Sequence, residues 1–257
     1  MTMTITIITL LLSGVSFLAG FIDSIAGGGG LILLPALLLA GIPPQIALGT
    51  NKFGSTFGTG VALANFIRNK KVIWGIALVG VLFTLTGSFL GTKTILLFSN
   101  RVVGKIIVIL LPLAVLGTVA PRKGRTLNGV LTKWDLCLKV PLICFTMGFY
   151  DGFFGPGTGS FLIILFYVLI GLNLVQASAT AKVFNFISNI VALTVFFGKG
   201  KVLLWLGVPL AIANIIGNYF GSMLAIKKGS QVVRAFLVVS LTILFISLVG
   251  KYFLPEG

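Results

Sequence analysis

Lys52 and Lys182 each stand in a mostly uncharged helical stretch, and each heads a polar stripe. Lys52, Ser55, Thr56 and Thr59 fall at i, i+3, i+4 and i+7, and Lys182, Asn185 and Asn189 repeat that spacing. Residues so spaced share one face of a helix. Of the chain's four acidic residues, Asp135 lies beside Trp134 and Glu256 lies at the tail. The other two, Asp23 and Asp151, occupy matched places. An ionised side chain at membrane depth costs about 2.5 kcal/mol or more, so its first reading is functional and inward-facing. The bland alternatives are an Asp–Lys pair that closes the bundle and a lysine that snorkels to an interface.

Two glycine loops accompany these charges. Gly27-Gly28-Gly29-Gly30 and Gly155-Pro156-Gly157-Thr158-Gly159 interrupt apolar sequence just before a short apolar run. Irregular backbone at this depth is tolerated where it is buried in protein or lines a cavity. Glycine lets N–H groups face outward, and the following helix offers its positive end. That chemistry suits an anion. Thr84/Ser88 and Asn214/Asn218 add hydroxyls and amides at i and i+4; the bland alternative is interhelical hydrogen bonding, but the doubled pattern points to a water-accessible pathway.

The elements that must position these groups follow from composition. The chain has 257 residues, 57% hydrophobic and 9% charged, with a mean hydropathy of +1.15. A soluble domain carries about 25% charged residues. The stretches 6–20, 74–91, 102–120, 205–224 and 236–250 are apolar and nearly free of charge. About 20 such residues cross a hydrocarbon core about 30 Å thick. The chain is therefore read as an all-α polytopic membrane protein, embedded as a multi-pass protein in the lipid bilayer of the cell membrane. Residues 5–25 lack a basic region before their apolar run and a clear cleavage site, so they read as a first helix, not a signal peptide.

The net charge of +15 would suggest nucleic acid in a soluble protein. Here the basic residues sit between apolar segments, as in Arg68-Asn69-Lys70-Lys71 and in Arg122, Lys123 and Arg125. Short basic loops orient membrane helices, so no nucleic-acid partner is expected. Cys137 and Cys144 fall on one helical face, two turns apart, and read as packing residues. The chain has no histidine, no Cys-x-x-Cys and no Walker pattern. No metal site, cofactor or enzymatic constellation is expected.

The sequence is written twice. Gly20-Phe21-Ile22-Asp23 is matched by Gly148-Phe149-Tyr150-Asp151. With two extra residues in the glycine loop, Thr50, Lys52, Gly87 and Gly91 are matched by Thr180, Lys182, Gly217 and Gly221. The expected organisation is a first transmembrane repeat at 1–120, a basic linker at 121–133 and a second repeat at 134–257. Two homologous repeats of four spans each give about eight transmembrane helices, with first-half spans near 5–26, 45–67, 72–97 and 102–120. Each repeat adds one short broken or re-entrant helix, near 31–40 and 161–170. Crossing short pieces would instead give ten spans and inverted repeats. Discontinuous helices in both halves point to a transporter's central site.

The motif Gly20-Phe21-Ile22-Asp23-Ser24-Ile25-Ala26-Gly27-Gly28-Gly29-Gly30, followed by Gly49-Thr50-Asn51-Lys52-Phe53, resembles the sulfite exporter TauE/SafE family. The stretches 148–159 and Thr180-Ala181-Lys182-Val183-Phe184-Asn185 resemble the family's second copy. The likeness spans essentially the whole chain and implies a transporter for small sulfur-containing anions such as sulfite, sulfoacetate or other organosulfonates. Ala181 stands where the first copy has Asn51, so strict two-fold equivalence is not expected. Together these readings assign substrate binding to Gly27, Gly28, Gly29, Gly30, Asn51, Lys52, Ser55, Gly155, Gly157, Thr158, Gly159, Thr180, Lys182, Asn185 and Asn189. Asp23 and Asp151 are assigned to coupling or to a structural ion pair.

An inside-negative potential favours anion exit by about 2.3 kcal/mol per charge per 100 mV. The leading expectation is a secondary transporter or uniporter that exports a small anion on that potential. The alternatives are a proton-coupled uptake permease and a non-transporting membrane scaffold, which would leave the doubled stripes without a use.

Overall fold

A computed structural model describes residues 2–119, 132–233 and 235–236, and all regular secondary structure among them is helical. The helices are α1 (Thr2–Ala26), α2 (Gly30–Leu39), α3 (Pro44–Arg68), α4 (Trp74–Leu96), α5 (Asn100–Val119), α6 (Val140–Phe153), α7 (Thr158–Leu165), α8 (Leu174–Gly198) and α9 (Leu204–Lys228). Most of the expected basic linker, with Arg122, Lys123 and Arg125, lies outside the described residues, as do the apolar segment beyond Phe236 and Glu256.

Among the described residues, five stretches are long and apolar enough to cross a bilayer: Thr6–Ala26, Trp74–Leu96, Asp135–Phe153, Leu174–Gly198 and Leu204–Lys228. Helix α3 also runs for 25 residues. Its stripe of Asn51, Lys52, Ser55, Thr56 and Thr59 dilutes its apolar character, so length and hydropathy alone do not single it out. The short elements are real: α2 has 10 residues and α7 has 8. At about 1.5 Å per residue neither crosses a hydrocarbon core.

The polarity of the fold runs inside out. Leu10, Leu11, Leu78, Leu82 and Ile109 are exposed, whereas Asn51, Lys52, Asp151, Lys182 and Asn189 are buried. Such an apolar exterior matches lipid, and buried charges need partners to stay there.

Close packing joins helices from opposite halves of the chain. Gly87 and Gly91 of α4 meet the backbone of Phe145 and Phe149 on α6, and Gly217 and Gly221 of α9 meet that of Phe17 and Phe21 on α1. A Cβ on Gly20 would lie 2.6 Å from the Asn214 carbonyl oxygen, and one on Gly148 would lie 2.6 Å from that of Thr84. Small residues at these crossings let the backbones touch. The polar pairs expected to line a pathway serve the same contacts. Ser88 donates to the Ser188 carbonyl (2.9 Å), Thr84 to that of Cys144 (3.4 Å) and Asn214 to that of Ser16 (3.1 Å). Asn218 donates to the Asn214 side chain at 2.8 Å. Interhelical hydrogen bonds account for Thr84, Ser88 and Asn214, and Asn218 bonds to Asn214 within α9, so packing contacts and not a pathway occupy these side chains.

The two cysteines do not share a face: Cys144 is buried and Cys137 is exposed. Asp135–Lys139, just before α6, is a wide π-helical turn closed by the Val140 N–H on the Asp135 carbonyl. Its extra residue breaks the 3.6-residue register between the two sulfurs. Asp135 is buried within that turn and accepts from Thr132 and from Lys139 Nζ at 2.6 Å.

Candidate functional site

The site lies where the two short helices begin. Helix α1 ends at Ala26, and its last carbonyls would be stranded in the interior without donors. Ser160 of α7 donates to the Ala26 carbonyl at 2.8 Å, and Ser178 of α8 donates to that of Ile25 at 3.0 Å. These bonds bring the first glycine loop against the second. A Cβ on Gly27 would lie 2.6 Å from Gly159 Cα, so the two loops touch back to back.

Between the loops and the stripes of α3 and α8 lies a small open-mouthed cavity. Gly28 and Gly30 wall it from the first loop, and Gly155, Gly157, Thr158 and Gly159 from the second. Helix α3 contributes Asn51, Lys52 and Ser55, and α8 contributes Asn185 and Asn189. Asp23 and Asp151 complete the wall. Every one of these residues belongs to the set expected from sequence.

The remaining four of that set stand elsewhere. Gly27 packs on the opposite loop, and Gly29 faces Ala19 and Asp23. Thr180 accepts from the Ile73 N–H (3.1 Å), just as Thr50 accepts from that of Leu203 (3.1 Å), so both threonines hold a loop. Lys182 lies behind the cavity wall, bonded to Asp23.

The charges form two pairs, each joining opposite halves of the chain. Lys52 Nζ lies 2.8 Å from Asp151 Oδ1, and Lys182 Nζ lies 2.6 Å from Asp23 Oδ2. Their surroundings differ. Asp151 also accepts from Thr158 (3.0 Å) and from Ser188, and Lys52 donates to Asn189 (2.9 Å). Asp23 accepts one further bond, from the Gly29 N–H at 3.2 Å, and its side chain keeps 20% of its exposure against 6% for Asp151. With both carboxylates held by lysines, the wall offers no free carboxylate pair for a metal. What it does offer is side-chain amides and glycine backbone.

Asn51 and Asn185 are each 5% exposed, and their carboxamide oxygens accept no hydrogen bond among the described residues. An unsatisfied buried polar group costs about 1–3 kcal/mol, so two at one cavity mark a place built for a polar guest. A carboxamide can turn to present either a donor or an acceptor.

Sequence reasoning missed Ser188, Ser160 and Ser178. Ser188 lies between Asn185 and Asn189 on α8, and taking the i+3 as well as the i+4 step from Asn185 would have found it. Ser160 and Ser178 carry no pattern of their own, because their partners are carbonyls of a helix far away in the chain.

Comparison with known proteins places the chain among membrane transporters. The model of the family described as sulfite exporter TauE/SafE matches residues 12–248. A probable membrane transporter protein, ORF9, of Sinorhizobium sp. is 39% identical over 227 residues, which cover 87% of this chain and 85% of that protein. A probable membrane transporter protein of Haemophilus influenzae is 36% identical, with 88% of each chain covered. Escherichia coli K12 YfcA, also named a probable membrane transporter protein, is 38% identical, with 88% of this chain and 83% of that one covered. No solved structure shows a significant match. On a match across nearly its whole length, the chain belongs to the sulfite exporter TauE/SafE family, as a multi-pass integral membrane transporter.

Proposed function

We propose that the protein moves small sulfur-containing oxyanions, sulfite or short organosulfonates, and that it exports them. The observation that carries this reading is the cavity between the first turns of α2 and α7. It is lined by glycine backbone and by two asparagines whose carboxamide oxygens have no protein partner. Helix starts carry positive potential, and glycine N–H groups approach an anion closely. The expected set of binding residues is retained with altered roles. Asn51, Ser55, Asn185, Asn189, Thr158 and the glycines face the anion, whereas Lys52 and Lys182 set the local charge through their aspartates. Gly27, Gly29 and Thr180 hold the loops in place.

The architecture proposed for transport is two homologous repeats, 1–120 and 134–257, joined by the linker 121–133, with about eight spans and two half-length helices. The crossed pairs Lys52–Asp151 and Lys182–Asp23, and the matched threonines at the loops, support it. The direction rests on the family's description and on the inside-negative potential, which favours anion exit.

The binding step is tested by sulfite-dependent thermal stabilisation of the purified protein. Asn51→Ala and Asn185→Ala are each expected to weaken sulfite binding about tenfold or more, since a hydrogen bond to a charged group is worth about 1.5–3 kcal/mol. Unchanged binding in both variants would contradict the assignment.

A further inference from the structure

The charges around the cavity cancel. Lys52 and Lys182 are matched by Asp151 and Asp23, and each lysine is already in contact with its carboxylate. An anion that enters such a site meets no uncompensated cation. Burying an added charge without a counter-charge is costly, and a site commonly avoids that cost by changing its protonation state. A proton arriving with the anion keeps the balance.

The two carboxylates are not equal candidates for that proton. Donors to the charged form of a carboxylate hold it ionised. Asp151 has three side-chain donors, Lys52, Thr158 and Ser188, and its side chain is only 6% exposed. Asp23 has Lys182 and one long bond from the Gly29 N–H, and its side chain remains partly open. A proton can reach Asp23 at smaller cost.

No other group competes for the role from the elements packed around α1. Helix α8 faces Asp23 with Lys182, and α3 brings Lys52, which is engaged with Asp151. Helices α2 and α7 carry no titratable side chain. The lysines of α9, Lys227 and Lys228, are exposed in its last turn, and Tyr219 is exposed as well. Asp23 is the one titratable residue of α1.

We propose that Asp23 takes up one proton when the anion binds, while Asp151 stays ionised as the fixed partner of Lys52. The inference rests on the anion site proposed above. Protonation converts the Asp23 carboxylate to a carboxylic acid and leaves the Lys182 ammonium without a counter-charge beside the cavity wall. The site thereby gains one positive charge, and proton and anion favour each other's binding by the same factor. A dianion carried with one proton still moves one net negative charge, so an inside-negative potential continues to favour its exit.

The test is calorimetric titration of sulfite into the purified protein, at a pH where free sulfite is fully deprotonated. Buffers of different ionisation enthalpy then count the protons taken up. The wild type is expected to take up about one proton per sulfite, with affinity falling about tenfold per pH unit as pH rises. Asp23→Asn stands in for the protonated form. It is expected to bind sulfite with no proton uptake and with a flat pH dependence. Because this variant leaves Lys182 without a carboxylate and could fail to fold, infrared difference spectra of the wild type give a second reading. Sulfite should raise a protonated-carboxyl band there. Binding without proton uptake or without that band overturns this inference and leaves the anion site standing, as does undiminished uptake in Asp23→Asn. No sulfite binding by the wild type at any pH removes both.

Discussion

Lys52→Ala is expected to abolish sulfite transport and to destabilise the protein by about 3–5 kcal/mol, the usual cost of removing one member of a buried ion pair. The loss is larger than that of a cavity-wall contact because of what remains. Asp151 would keep Thr158 and Ser188 but no cation, and its side chain is 6% exposed. Asn189 would also lose the donor to its carbonyl. Lys182→Ala should be milder, since Asp23 is open enough to reach water. A double variant, Lys52→Ala with Asp151→Asn, removes the stranded charge and should recover most of the stability without recovering flux. Thermal midpoints of the purified variants, read beside flux, separate the two effects. A Lys52→Ala protein as stable and as active as the wild type would show that the pair is incidental.

Gly27→Ala should be severely damaging for a change of one methyl group. The residue has φ 75°, and its Cβ would fall within 2.6 Å of Gly159 Cα, with the Ser160 backbone nitrogen nearer still. Backbone cannot rotate aside as a side chain can, so the two loops must separate and carry the starts of α2 and α7 with them. Gly41 provides the comparison. It has φ 81° but open space around its Cβ position, so Gly41→Ala bears backbone strain alone, about 1–2 kcal/mol. The expected outcome is little or no folded Gly27→Ala protein after purification, against a modest fall in the thermal midpoint for Gly41→Ala. Equal shifts would mean that the loops are not in contact.

Much of the site could be read from the sequence. Charge, glycine and amide are so costly in an apolar chain that each occurrence carries information, and doubling singles out which ones to group. That reasoning reached Asn51, Lys52, Asn185 and Asn189, which line one wall, and Asp23 and Asp151, which line another. It could not pair the charges, because periodicity relates residues one or two turns apart and says nothing about which distant helix faces them. Lys52 with Asp151 and Lys182 with Asp23 follow from packing between halves of the chain. The π-helical turns at Asp135–Lys139 and Phe166–Ile170 were hidden for a related reason. Each adds one residue to a turn without any marker in composition, and the first displaces Cys137 from the face of Cys144. The hydroxyls of Thr84 and Ser88 were read as pathway because a polar pair on an apolar helix looks alike whether it meets water or a neighbouring carbonyl.

The most direct test of the central claim is sulfite efflux from proteoliposomes that hold the purified protein, with an inside-negative potential imposed and then collapsed. Potential-dependent efflux, competed away by organosulfonates and lost in Lys52→Ala, is the predicted result. Folded wild-type protein that passes neither sulfite nor an organosulfonate under any potential or pH gradient would contradict it.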